Sequence, residues 1–151
     1  MKIEFLVLAD SAQVANGKLF ILGGGWGVWR SQHFPLQIQI GLALNILING
    51  NELGGKYQLA VTIKDEANIQ IVPEIKAEMV AGRTTEEFPT GTVHKLPVAF
   101  NLGLLVSHPG KYTIQATMGS SHVETFFSVI YVGKSAEIVI APEDAGGERG
   151  N

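Results

Sequence analysis

From Leu36 to Ile48 every second residue is a large aliphatic: Leu36, Ile38, Ile40, Leu42, Leu44, Ile46 and Ile48. Between them stand Gln37, Gln39, Gly41, Ala43, Asn45 and Leu47. A helix, advancing about 100° per residue, would scatter those aliphatics around its surface, whereas a pleated strand places them all on one face. The stretch therefore reads as a one-sided strand, aliphatic towards a core and small or polar towards water. It is long for one strand, so a bend or bulge is expected near Gly41.

The same period returns along the chain. Tyr57, Leu59, Val61 and Ile63 alternate with polar neighbours after a turn at residues 49–55, and Asp65-Glu66-Ala67-Asn68 reads as a hairpin turn. Ile69, Ile71, Ile75, Ala77 and Met79 follow, with Pro73 marking an edge or bulge because it cannot donate to a ladder. A polar loop at 82–91 leads into a strand at 92–102, and Ser107-His108-Pro109-Gly110 turns the chain into Lys111–Met118. Gly119-Ser120-Ser121 connects to the last strand, His122–Val132. No segment carries a helical period. The expected fold is all-β, an antiparallel β-sandwich of about eight strands. Tyr112, just after Pro109-Gly110-Lys111 and two residues before inward Ile114, fits a tyrosine corner and makes the sandwich immunoglobulin-like. Residues 1–132 form that domain, and 133–151 a C-terminal extension with an extra strand at 136–141 and then a disordered acidic tail.

Two regions depart from one-sided alternation. Residues 3–9 and 18–24 read as the strands of a hairpin around Asn16-Gly17, a pair that tolerates the positive φ of a type I′ turn. Both strands are apolar on both faces, and so is 122–132, with Phe126, Ile130 and Val132 opposite Val123, Phe127, Val129 and Tyr131. A strand apolar on both faces is covered on both, by loops and tail of its own chain or by another protein surface. Phe20, Leu22, Phe126, Ile130 and Val132 are therefore candidate interaction residues. Gly23-Gly24-Gly25-Trp26-Gly27-Val28-Trp29 follows the hairpin. It lacks the register and the following helix of a phosphate cradle. Trp26 and Trp29 join the candidate residues, as core anchors, interface anchors or a stacking platform.

Glu4-Phe5-Leu6-Val7-Leu8-Ala9-Asp10-Ser11-Ala12, then Asn16-Gly17-Lys18-Leu19, then Gly23-Gly24-Gly25-Trp26 together resemble the opening of an uncharacterised bacterial domain-of-unknown-function family of short β-sandwich proteins. The likeness weakens through Gly82-Arg83 and Pro109-Gly110-Lys111-Tyr112 and covers about residues 1–132. It implies a bacterial, cytoplasmic protein and brings no catalytic residue with it.

Residue chemistry adds exclusions. There is no cysteine, which removes disulfides, thiolate nucleophiles and zinc–thiolate sites together and fits a reducing compartment. The net charge is −3 with no basic stripe, so nucleic acid is not an expected partner. No apolar run reaches membrane-spanning length, and Glu4 stands too early for a signal peptide. His33, His94, His108 and His122 lack metal-ligand spacing, no G-x-S-x-G occurs, and the carboxylate pairs lie in turns, loop or tail. An enzyme built across loops would draw on Arg83, His94 or His108, and ranks last. The expectation is a chain with no catalytic, cofactor-binding or metal residues. It is a non-catalytic assembly or protein-interaction module, a homo-oligomer or bound to another protein. The alternative is a small-ligand or carbohydrate-binding sandwich using Trp26 and Trp29.

Overall fold

The computed structural model describes residues 1–82, 89 and 91–133. Within them the protein is all-β, with one 3-10 turn at Gly50–Glu52. Ten strands follow in chain order: β1 Lys2–Ala9, β2 Ser11–Ala15, β3 Lys18–Leu22, β4 Val28–Ser31, β5 Leu36–Asn49, β6 Lys56–Lys64, β7 Ile75–Val80, β8 Val93–Val106, β9 Gly110–Met118 and β10 Ser121–Tyr131. The sequence pattern shows eight of these. It misses β2, whose Ser11, Ala12 and Gln13 carry little β signal, and β4, only four residues long. The extension from residue 134 onward, with its expected strand at 136–141, and residues 83–88 and 90 of the mid loop lie outside the described residues.

The strands form a three-stranded sheet ordered β1-β5-β8, a five-stranded sheet ordered β4-β10-β9-β6-β7, and the two-stranded hairpin β2-β3. Pairing is antiparallel except for β4 against β10, which run parallel. The two larger sheets face each other across one core. Ile38, Ile40, Leu42, Leu44 and Ile46 of β5 meet Leu59, Val61 and Ile63 of β6, Ile114 and Ala116 of β9, and Phe127 of β10. Each of these side chains larger than alanine contributes on the order of 1.5–3 kcal/mol through lost contact with water. Among the described residues no helix is long and apolar enough to cross a membrane.

Three local expectations need correction. The Asn16-Gly17 turn is present, with φ of 51° and 69°, but it joins β3 to β2. Residues 3–9 pair instead with β5. Second, β5 is one-sided only near its ends, since Gly41, Ala43 and Asn45 on its outer face are buried as well. Third, β5 has no bulge at Gly41. Its ladder with β8 runs unbroken from Leu36↔Val106 to Asn49↔Val93, and the irregularity falls in β1 between Ile3 and Phe5. Gly41 answers a different demand: a Cβ there would stand 2.6 Å from the Ser11 carbonyl carbon, because β2 crosses directly over it.

Tyr112 makes the corner contact expected of it. Its ring is 1% exposed and stacks on Phe127 at 5.3 Å, while its hydroxyl donates to the His108 carbonyl at 2.6 Å. Burial pushes the phenol above its ordinary value, the bond to His108 opposes this, and the charges of Asp65 and Glu66 add to the rise.

Candidate functional site

Among the described strands, β2 and β3 are the two that place no side chain in the core cluster or against it. The chain leaves β1 at Asp10, whose N–H donates to the carbonyls of Leu22 and Gly23, and returns at Gly25, whose N–H reaches the Leu8 carbonyl at 2.8 Å. Between those points the hairpin rests on the outer face of the three-stranded sheet at two side-by-side residues, Gly41 and Asn101. Asn101 imitates a strand: its Oδ1 accepts from Ala12 N–H at 3.0 Å, and its Nδ2 donates to the Ala12 carbonyl at 2.7 Å.

Hydrogen-bond parity then dictates how the hairpin presents itself. A two-residue type I′ turn is closed by a hydrogen-bonded pair, here Ala15 and Lys18, so Gln13/Phe20 and Ser11/Leu22 are hydrogen-bonded too. Val14/Leu19 and Ala12/Ile21 are the non-hydrogen-bonded pairs, and their backbone groups point out of the hairpin. On the β2 side these groups at Ala12 meet Asn101. On the β3 side those of Leu19 and Ile21 meet no partner among the described residues. The hairpin thus docks by its β2 edge, and no described residue pairs with its β3 edge. Both faces of β3 are accessible in consequence, with Phe20 50%, Ile21 41% and Leu22 71% exposed.

The candidate residues fall into three places. Phe20 and Leu22 lie on the hairpin, together with Ile21 and Val14, which the sequence pattern did not single out. Phe126, Ile130 and Val132 lie on the outer side of the five-stranded sheet, beside Val28 of β4. Lys111 Nζ sits 4.3 Å from the centre of the Phe126 ring and covers part of that patch. Trp26 and Trp29 pack on the core and meet edge to face at 5.6 Å, and Trp26 meets Phe127 likewise at 5.7 Å. The hairpin group and the β10 group are on different sheets and share no surface.

Two further residues matter and carry no motif. Gly41 and Asn101 look ordinary in an alternating strand, and their role depends on a crossing by residues far away in sequence. The available signal was the run of small or polar residues, Gly41, Ala43 and Asn45, on the outer face of the most apolar strand. Asn45 is itself spoken for by Glu4, whose Oε2 accepts from Asn45 Nδ2 at 2.5 Å, with Lys95 Nζ 3.3 Å from the same carboxylate.

His108 has polar neighbours on both ring nitrogens. Its Nε2 is 3.5 Å from Asp65 Oδ2 and its Nδ1 3.2 Å from the Tyr112 hydroxyl. That hydroxyl is already committed to the His108 carbonyl, so the trio fastens the β6–β7 turn to the start of β9 and presents no activated nucleophile. His94 stands opposite Ile48, at the other end of β8 from the turn that holds His108. Arg83 lies outside the described residues. Among the described residues no group of three His, Cys, Asp or Glu side chains is placed to hold a metal ion.

A family model described as a family of unknown function (DUF6941) matches residues 4–126, a span that includes both hairpin strands, the crossing at Gly41 and Asn101, and Tyr112. No curated protein matches the chain.

Proposed function

The chain belongs to the family of unknown function DUF6941, and we propose that it is a non-catalytic assembly module that associates with itself, in a bacterial cytoplasm. The observation that carries this reading is the arm itself. A hairpin clamped at Asp10, Gly41 and Asn101 holds Phe20 and Leu22 in water at 50% and 71% exposure. Apolar side chains displayed together on a fixed element mark contact surfaces, because the exposure costs free energy that association recovers.

The finer architecture we read as immunoglobulin-like. A corner tyrosine at the start of the penultimate strand β9, flanked by β10 and β6 in one sheet, supports this. The ligand-binding alternative draws no support from the indoles, since Trp26 and Trp29 spend their rings on each other, Phe127 and the core. Light scattering on the purified chain at micromolar concentration tests the reading. A mass of two or more chains is expected, and a strict monomer overturns it.

A further inference from the structure

Six of the described strands have an outer edge, and they are not equally guarded: that of β2 meets Asn101 at Ala12. β1 runs beside β10 and lends its Ile3 N–H to Ser121 Oγ at 3.0 Å. β4 is four residues long, β7 alternates Lys76 and Glu78 with its apolar residues, and β8 carries Pro97 in its middle. Short length, charge and proline are the devices that keep sheet edges from pairing. β3 is also short, at five residues, but its charge is confined to Lys18 at one end, it has no proline, and its ladder with β2 shows no register shift that would bend it away.

We propose that two copies of the chain pair through β3, antiparallel and centred on Phe20, joining their hairpins into one four-stranded ribbon. The proposal rests on the self-association reading and names its interface. The occupant follows from the strand's self-complementarity, which a two-fold contact demands. Centring on Phe20 sets Leu19 against Ile21 of the second copy, and Ile21 against its Leu19. These are the two residues whose outward N–H and C=O groups have no partner among the described residues, so both pairs fall on hydrogen-bonded positions. Phe20 then meets Phe20 of the second copy at a non-hydrogen-bonded position, where cross-strand Cβ atoms approach most closely. Lys18 stands opposite Leu22, which leaves the two lysines at opposite ends of the ribbon with no like charge facing them. Centring on Ile21 satisfies the same parity, but it sets Leu19 against Gly23 and strands Lys18 beyond the pairing.

The absence of cysteine allows a clean register test. F20C and L22C variants of the full chain are oxidised side by side at micromolar concentration, and the rate of disulfide dimer formation is measured. F20C is expected to cross-link, because non-hydrogen-bonded partners sit near disulfide Cβ spacing. L22C is expected to remain largely uncoupled. Equal rates, or faster coupling of L22C, overturn the pairing. An I21P variant removes an outward N–H without touching the β2 ladder, and sedimentation should then show a dissociation constant raised on the order of tenfold or more. Wild-type mass above the monomer with I21P unchanged and F20C uncoupled overturns the β3 interface while leaving self-association standing. A wild-type monomer overturns both.

Discussion

β1 and β3 look alike as strings of residues and end in opposite surroundings. Lys2–Ala9 and Lys18–Leu22 are both short, apolar on both faces and flanked by polar residues. In β1 the Ile3, Leu8 and Ala9 side chains are buried, and β5 lies along one edge with β10 near the other. In β3 three consecutive apolar residues are exposed. The difference comes from what lies beside each strand. β1 is the edge strand of the three-stranded sheet and lies against β10 of the five-stranded one, while β3 is the far strand of a hairpin whose near strand has taken the docking contacts. Two-sided apolarity therefore reports that a strand will be covered, and only the tertiary arrangement says whether the same chain does the covering.

The largest effect expected from breaking this contrast is on stability. Leu8→Ala in β1 should cost about 2–5 kcal/mol in urea unfolding, the range for emptying a packed leucine site. Leu22→Ala in β3 should change monomer stability by less than about 0.5 kcal/mol, as for an exposed site. Equal losses would mean that β3 belongs to the core.

Gly41→Val attacks the support of the hairpin. Its Cβ would press on the Ser11 backbone, which cannot move aside as a flexible side chain would, so about 1–3 kcal/mol of overpacking is expected. Hydrogen exchange should show protection lost across residues 11–22 and retained in β5 and β8. Loss of protection throughout β5 would show that hairpin and body unfold together.

Tyr112→Phe sharpens the contrast from the body's side. It removes the bond to the His108 carbonyl and should cost about 1 kcal/mol. Exchange in the hairpin should be untouched by it. A loss of zero would mean that the corner hydrogen bond carries no net stability.

The smallest effect concerns acid. The hydrogen bond from Asn45, and then that from Lys95, hold Glu4 below its ordinary 4.5, so the carboxylate is favoured in the folded chain. A depressed folded value adds stability that is complete above the ordinary value and is lost as pH falls through the folded one. The unfolding midpoint should be level above about pH 5 and fall below it, and Glu4→Gln should flatten that slope. An identical acid slope in the variant would remove Glu4 from the account.

Much of the body was legible in the residues. The period-two alternation of β5, β6 and β9 reports a face, and the Asn16-Gly17 turn and Tyr112 carry local backbone chemistry that survives in any context. Long-range pairing was not legible. Residues 3–9 and 18–24 were equally apolar and adjacent, which suggested a hairpin between them, and the small residues of β2 hid the strand that intervenes. Taken locally, Gly41 suggests a bend or bulge, whereas the need for glycine there comes from the crossing by Ser11 and Ala12. Asn101 gave no signal, since an amide that completes another strand's hydrogen bonds looks like any polar residue on an outer face.

Pairing through β3 can be read from amide hydrogen exchange at Leu19 and Ile21, followed as protein concentration is raised from well below to well above the association midpoint. These two amides should gain protection together with the rise in mass, while β10 around Phe126 and Ile130 should not change. Association that protects β10 and leaves Leu19 and Ile21 exchanging freely would contradict that pairing.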